Sequence, residues 1–214
     1  MIKAIIFDMD GVISDTQKLH SKVESDILSR FGINITPDEI TFKYAGVKTR
    51  EFFNELLTHK KIEFNLDDLM EEKWNKMAEL AKISIDPING IYELLNLLND
   101  LDIKLAVASA SEFNYVKEVL ISLGVYNRFL SIVTGDMVLR GKPEPDIFLL
   151  AAKNINIQPS DCLVIEDGIS GMTAASRADM KCIGLVKNID FDKYPTKNQV
   201  LSLLDINQNY LLNL

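Results

Sequence analysis

The sequence predicts an α/β protein built on a doubly wound parallel β-sheet and interrupted by an all-helical insertion. From about residue 86 onward, short apolar runs that suit buried strands alternate with amphipathic helical segments. Parallel strands require crossover helices of this kind. Residues 16–84 carry helical patterns only. We therefore expect a core domain of residues 1–15 and 85–214, with a separate helical domain of residues 16–84 inserted after the first strand.

The first predicted strand leads into an acidic turn. Ile2 and residues 4–7 form an apolar run, rich in β-branched residues, that stops at Asp8, Asp10 and Gly11. Carboxylates at positions i and i+2 beyond a strand's carboxyl end point into the crevice where open α/β sheets bind ligands. Their charges repel each other unless a cation or a proton lies between them. We expect a functional pair, although this short motif taken alone favours an ordinary turn.

Four helices are predicted in the insertion. The first is capped by Thr16, carries apolar residues at spacings of three and four, and ends at Gly32. Pro37 opens the second helix and Thr49 the third, and the apolar pattern that starts at Leu66 marks the fourth. An all-helical block of this size predicts a small bundle of its own.

Helices and strands alternate after the insertion. The predicted helices cover residues 90–101, 112–123, 146–154 and 169–178. The predicted strands cover residues 103–108, 129–133, 162–165 and 181–186. No element is assigned to the tail from Lys187. Right-handed crossovers between successive parallel strands account for this order of elements.

Polar residues follow three of the later strands. Ser109 follows the second strand, Lys142 lies in a loop after the third, and Glu166 and Asp167 follow the fourth. Each has an ordinary interpretation as a helix cap, a solvated loop residue or a capped turn. In a parallel sheet, however, the carboxyl ends of the strands meet at one edge. We therefore expect these side chains to converge on the acidic turn after the first strand.

Composition limits the partners and the compartment. A net charge of −8 argues against nucleic acid or an anionic membrane surface as a partner, because both require a basic face. The sequence has no apolar segment long enough to span a membrane, and its N-terminal apolar run is too short for a signal peptide. We expect a cytoplasmic monomer in which Cys162 and Cys182, both in predicted buried strands, are free thiols.

Four ordered segments carry a resemblance to a known family: FDMDGVISDT, VASAS, GKPEPDIF and IEDGISGMTAA. They resemble the motifs of the haloacid dehalogenase-like phosphatase superfamily, and the helical insertion resembles that family's cap domain. The likeness is closest to the branch that contains β-phosphoglucomutase and small sugar-phosphate phosphatases. It implies a Mg²⁺-dependent phosphatase that acts on a small phosphorylated metabolite through an aspartyl-phosphate intermediate.

The resemblance also implies roles for the core residues in catalysis. Asp8 would be the nucleophile that attacks phosphorus. Asp10 would start protonated, give its proton to the leaving oxygen and then take one from the attacking water. Ser109, with Ala110 beside it, would bind a phosphoryl oxygen, and Lys142 would offset negative charge on Asp8 and on the phosphate.

A metal site is implied at the same turn. Asp167, Asp8 and the main-chain carbonyl of Asp10 would hold Mg²⁺, and Glu166 would bind the ion directly or through water. Mg²⁺ and a lysine together would allow an acidic protein to bind an anionic substrate.

Two parts of the insertion resemble substrate-binding regions of the cap. Thr16 and His20 lie one helical turn apart and face the same way, and matching positions in the resembling mutase help to reposition the acid–base aspartate. His20 has a second interpretation as an ordinary surface residue. The segment that contains Gly46, Val47, Lys48 and Arg50 resembles the substrate-specificity loop, in which glycine permits close approach of the backbone. The mutase carries arginine where this chain has Thr49.

Three alternatives to a phosphatase stay open. A phosphosugar mutase would return the phosphate to a sugar instead of water, and the threonine at position 49 counts against it. A carbon–halogen hydrolase needs neither a proton donor nor a metal, so three of the acidic residues would be idle. A phosphorylation-controlled receiver module has a similar set of side chains, but its phospho-acceptor follows the third strand and no helical domain is inserted.

Overall fold

A fully parallel β-sheet forms the centre of the protein in the computed structural model, which describes residues 2–44 and 49–214. Its strands lie in the order β3-β2-β1-β4-β5-β6. They are β1 Ala4–Phe7, β2 Lys104–Ser109, β3 Ser131–Thr134, β4 Cys162–Glu166, β5 Lys181–Leu185 and β6 Asn198–Val200. The predicted fold class is confirmed.

The helices fall into two groups along the chain. Between β1 and β2 lie α1 Gln17–Ser29, α2 Pro37–Lys43, α3 Thr49–His59, α4 Leu66–Ile83 and α5 Ile91–Asp100. After β2 follow α6 Phe113–Ser122, α7 Asp146–Asn154, α8 Ile169–Arg177 and α9 Gln208–Leu212. The described part of residues 16–84 contains no strand. On this basis we propose the same division as the sequence predicts, with residues 16–84 as the cap and residues 1–15 and 85–214 as the core.

Capping residues stabilise the N-termini of two cap helices. The Thr36 side chain accepts a hydrogen bond from the main-chain N–H of Glu39, whose own side chain bonds back to Thr36. Pro37 occupies the first turn of this helix. The Asn65 side chain caps α4 in the same way. Thr16 is the exception, because its side chain makes no cap hydrogen bond in α1 and bonds to Asp10 instead.

Two apolar layers cover the two faces of the sheet. Ile5 and Phe7 of β1 point into a cluster that also contains buried residues of α5, α6 and the cap helices. Ala4 and Ile6 point the other way, into a cluster built mainly from α7 and α8. Because side chains alternate along a strand, β1 is buried on both faces, as expected for a central parallel strand. The cap meets the core where α4 packs against α6.

The tail contains the elements that the sequence pattern left unassigned. Strand β6 pairs in parallel with β5 and forms the edge of the sheet, and α9 follows it. Only Val200 of this three-residue strand is buried, so the strand has no apolar alternation to detect. Helix α1 ends at Ser29, earlier than predicted, and Gly32 follows with a φ of 70°.

The cysteines agree with the expectation of free, buried thiols. Cys162 and Cys182 are free and buried, and burial raises the pKa of both thiols, that of Cys162 to about 11. The thiols are therefore inert at neutral pH. None of the described helices combines the length and apolar character that crossing a bilayer requires.

Candidate active site

Three carboxylates meet at the carboxyl edge of the two central strands. Asp8 follows β1, Glu166 is the last residue of β4, and Asp167 comes next. An oxygen from each lies within 4.8 Å of the others. Phe7 and Ile165 pair in register, and the main-chain N–H of Asp8 donates to the carbonyl of Ile165 at 3.0 Å. The pairing of β1 with β4 thus brings together carboxylates that are more than 150 residues apart in sequence.

Lys142 joins two of these carboxylates. Its Nζ donates to Asp8 Oδ1 at 2.5 Å, to Glu166 Oε1 at 2.7 Å and to the carbonyl of Ala108 at 3.1 Å. Burial alone would lower the pKa of Lys142, but Asp8 and Glu166 together raise it above its ordinary value. The ammonium group therefore stays charged inside the cluster and offsets part of its negative charge.

The cluster carries more carboxylate groups than one lysine can balance. Burial raises the pKa of Asp8 well above its ordinary value. Lys142 lowers this pKa, but Glu166 raises it further. Burial and Glu166 also raise the pKa of Asp167 to about 7. A buried group of oxygen ligands with excess negative charge fits a hard divalent cation. Asp8, Glu166 and Asp167 are the side chains that could hold it.

Two glycines make room for the acidic side chains. Gly11 has a φ of 89°, and a Cβ atom there would lie 2.3 Å from Asp167 Oδ2. A Cβ atom on Gly171, in α8, would lie 1.7 Å from Glu166 Oε1. Both distances are far below van der Waals contact, so any side chain at either position would displace a carboxylate.

Asp10 lies in a cage of hydrogen-bond donors. Thr16 Oγ1 donates to its Oδ1 at 2.5 Å and Tyr115 Oη at 3.2 Å, while Ser111 Oγ donates to its Oδ2 at 2.7 Å. His20 Nε2 lies 3.2 Å from Oδ1. The sequence predicts that Thr16 and His20 are near Asp10, and the structure places both in contact with it.

The protonation state of Asp10 differs from the expectation. Burial would raise the pKa of Asp10, but His20 and the hydrogen bonds from Thr16 and Ser111 outweigh it and bring the pKa well below its ordinary value. Asp10 is therefore ionised, and Asp8 is the residue with the raised pKa. The reason is the number of donors around Asp10. A divalent cation in the cluster would lower the pKa of Asp8.

Ser109 and Ala110 lie where β2 ends. Ser109 is buried, and its Oγ accepts a hydrogen bond from the main-chain N–H of Ser111 at 3.1 Å. That bond stabilises the turn, and it leaves the Ser109 O–H as a donor. Ala110 is exposed, and its carbonyl oxygen would lie 2.4 Å from a Cβ atom on Gly135. The structure thus places both residues at the same edge of the sheet as Asp8.

The predicted substrate-specificity loop is described only at its end. Gly46, Val47 and Lys48 lie outside the described residues. Arg50 forms an ion pair with Asp67, and about half of its side chain is exposed. The partner of Arg50 is thus another cap residue rather than one of the core carboxylates.

Thr49 belongs to a buried polar triad inside the cap. Lys73, which is 1% exposed, donates to Glu24 Oε1 at 2.8 Å and to Thr49 Oγ1 at 2.6 Å. Thr49 Oγ1 donates in turn to Glu24 Oε1 at 2.8 Å. Burial lowers the pKa of Lys73, and Glu24 opposes that shift. The triad joins α1, α3 and α4, and the threonine at position 49 is part of the cap interior.

Several residues of the site were not predicted from the sequence. Gln17 Nε2 donates to Asp167 Oδ2 at 3.0 Å and connects the first cap helix to the acidic cluster. Ser111 and Tyr115 hold Asp10, and Gly171 faces Glu166. Ser111 precedes the N-cap of α6, so helical spacing gave no signal for this pair.

Comparisons with known proteins identify the family. The family model described as haloacid dehalogenase-like hydrolase matches residues 5–185. YhcW of Bacillus subtilis (strain 168), which is named as a phosphatase, is 36% identical over 187 residues, 86% of this chain and 83% of the relative. The phosphorylated carbohydrates phosphatase of Thermotoga maritima is 32% identical over 197 residues, 90% of this chain and 89% of the relative.

A solved structure supports the same assignment. The crystal structure of the β-phosphoglucomutase of Clostridium difficile has a TM-score of 0.83 and 30% identity, and the match covers 100% of this chain and 96% of that one. The family match removes the receiver module from the alternatives. The chain belongs to the haloacid dehalogenase-like hydrolases.

Proposed function

We propose that this enzyme is a Mg²⁺-dependent phosphatase of small sugar phosphates that works through a phosphorylated Asp8. The observation that carries the proposal is the buried contact of Lys142 with both Asp8 and Glu166, beside a third carboxylate, Asp167. Phosphoryl transfer depends mainly on positioning and on compensation of negative charge. The site offers both, because an ammonium group and oxygen ligands for a divalent cation surround one carboxylate.

In the first half of the reaction, an oxygen of Asp8 attacks phosphorus and the bond from phosphorus to the leaving oxygen breaks. Lys142 offsets charge on Asp8 and on the phosphoryl oxygens, and Ser109 donates its hydroxyl to one of them. Asp8, Glu166 and Asp167 would hold Mg²⁺, which when bound would supply positive charge against the phosphate. Asp10 donates a proton to the leaving oxygen, which requires that it first take up a proton within its cage.

In the second half, water attacks the phosphorus of the aspartyl phosphate and the bond to Asp8 breaks. The proton of the water passes to Asp10, and inorganic phosphate and the Asp8 carboxylate result. His20, Thr16 and Ser111 lower the pKa of Asp10 and so favour the ionised form that this step needs. The geometry of the cage thus suits the base role of Asp10 better than its acid role.

The names of relatives support a sugar phosphate as substrate. The Thermotoga maritima relative is named for phosphorylated carbohydrates, and an Escherichia coli relative, 28% identical over 181 residues, is named a fructose-1-phosphate phosphatase. We propose that Gly46, Val47 and Lys48 belong to the segment that selects the substrate. We propose that the enzyme is a cytoplasmic monomer, and its net charge of −8 argues against binding to nucleic acid or to an anionic membrane surface.

A mutase is the second candidate. A Bacillus subtilis relative, 31% identical over 192 residues, is named β-phosphoglucomutase. Against this function, Thr49 has no guanidinium group, and the guanidinium group of Arg50 pairs with Asp67 of the cap rather than with the core site. Incubation with β-glucose 1-phosphate and a trace of β-glucose 1,6-bisphosphate separates the two functions. Glucose 6-phosphate as the main product would favour the mutase, and inorganic phosphate would favour the phosphatase.

A substrate panel tests the proposal. Phosphate release is measured with sugar phosphates, nucleotides and small phosphorylated acids, each with Mg²⁺ and with excess EDTA. We expect hydrolysis of at least one sugar phosphate in Mg²⁺ and none in EDTA. The Asp8→Asn variant should be inactive on every compound. Equal rates with and without the chelator would refute the metal dependence, and substantial activity of the variant would refute the nucleophile.

A further inference from the structure

Tyr115 holds Asp10 from the core side of the site. It is fully buried in α6, and its hydroxyl donates to Asp10 Oδ1 at 3.2 Å. Its ring makes an edge contact with His20 and a tilted contact with Trp74, both in the cap, at centroid distances of 5.6 Å and 5.7 Å. His20 and Trp74 also contact each other at 5.9 Å, and this cluster of rings restricts the movement of the phenol, so its hydroxyl is held in place beside Asp10.

The donors from the core fix the orientation of the Asp10 carboxylate. Tyr115 bonds to Oδ1, and Ser111 bonds to Oδ2 at 2.7 Å. One hydrogen bond on each oxygen prevents rotation of the carboxylate about its last side-chain bond. Thr16 and His20 both contact Oδ1 and therefore do not fix this rotation by themselves. Ser111 and Tyr115 supply one donor to each oxygen from the core itself, so the core can set the plane of the carboxylate without the cap.

We propose that Tyr115 is a positioning residue that orients Asp10 for hydrolysis of the phosphorylated enzyme. The proposal rests on the function proposed above. In that step water attacks phosphorus, the bond from phosphorus to Asp8 breaks, and the proton of the water moves to Asp10. The hydroxyl of Tyr115 acts through Asp10, because its hydrogen bond keeps the receiving oxygen aligned with the water.

Transient kinetics of Tyr115→Phe test this role. Phenylalanine retains the ring that packs on His20 and Trp74, and only the hydroxyl is lost. Rapid-quench experiments with p-nitrophenyl phosphate give separate rate constants for formation and hydrolysis of the phosphoenzyme. The nitrophenolate leaves without a proton, so formation does not depend on the orientation of Asp10. We expect hydrolysis to slow about tenfold and formation to change less than about twofold, so that phosphoenzyme accumulates.

Tyr92→Phe is the matched control, because the Tyr92 hydroxyl donates to the carbonyl of Leu123 and not to the site. Both of its rate constants should equal those of the wild type. Ser111→Ala removes the other core donor without touching the aromatic rings and should also slow hydrolysis selectively. Equal slowing of both steps in Tyr115→Phe, or no change in either, overturns the proposal. Substantial turnover of p-nitrophenyl phosphate by Asp8→Asn would instead refute the proposed function itself.

Discussion

Substitution of Gly171 by alanine tests how closely α8 supports the metal site. In an ordinary helix interior, glycine to alanine stabilises a protein by about 1 kcal/mol. Here the new Cβ atom would lie 1.7 Å from Glu166 Oε1 and 2.0 Å from its Cδ. Normal carbon–oxygen contact requires about 3.5 Å, so the carboxylate of Glu166 must move by roughly 1.8 Å.

That movement breaks the contacts that orient Glu166. Its Oε1 accepts from Lys142 at 2.7 Å, and its Oε2 accepts from the main-chain N–H of Gly168 at 2.6 Å. Hydrogen bonds that involve a charged group contribute about 1.5–3 kcal/mol each. The loss of both outweighs the gain in helix propensity, so we expect the free energy of unfolding to fall by roughly 2–5 kcal/mol. Displacement of a ligand in this way should weaken Mg²⁺ binding about 10- to 100-fold.

Calorimetric titration of Mg²⁺ and thermal unfolding measure the two effects. Gly141→Ala serves as the control, because a Cβ atom at that position meets nothing within 4 Å. Its Mg²⁺ affinity and melting temperature should match those of the wild type. If Gly171→Ala binds Mg²⁺ as tightly as the control does, Glu166 does not help to hold the ion and the proposed site is wrong.

Three further predictions concern the charged groups. Asp8→Asn should abolish phosphate release, and an active variant would exclude Asp8 as the nucleophile. Its melting temperature should be near that of the wild type or above it, because burial and neighbouring carboxylates disfavour the charge on Asp8. In EDTA, the free energy of unfolding should fall as the pH rises from about 4 to about 7. Folding raises the pKa of Asp167 from 3.8 to about 7 and so favours its protonated form. The stability that this protonated form contributes is lost as Asp167 ionises over this pH range. Mg²⁺ should remove that dependence in thermal melts, and identical pH profiles with and without Mg²⁺ would contradict it. Lys73→Met should lower the free energy of unfolding by about 3–5 kcal/mol in chemical denaturation, because it leaves Glu24 buried without its cation. The double variant with Glu24→Leu should recover much of that loss. Additive effects of the two substitutions would show that the pair is not coupled.

The convergence of the core residues could be predicted because it follows from topology. Once β1, β2, β3 and β4 are known to be parallel, the residues that follow them must lie at one edge of the sheet. Asp8, Glu166 and Asp167 meet there with Lys142, as the sequence predicts. The strand order explains why Asp8 lies next to Glu166 and Asp167, because β1 lies directly beside β4. None of this requires knowledge of side-chain conformations.

The contacts of Asp10 depend on how the helices pack. For that reason they could not be predicted from the sequence. The chain contains six tyrosines, and nothing in the spacing of Tyr115 alone singles it out. Its hydroxyl reaches Asp10 because α6 packs beside the turn after β2 and because α4 of the cap covers α6. The same packing brings His20 to Asp10, where it lowers the pKa of the carboxyl group. Topology therefore determines which groups gather at the site, whereas contact between the cap and the core adds the donors Thr16 and His20 that lower the pKa of Asp10.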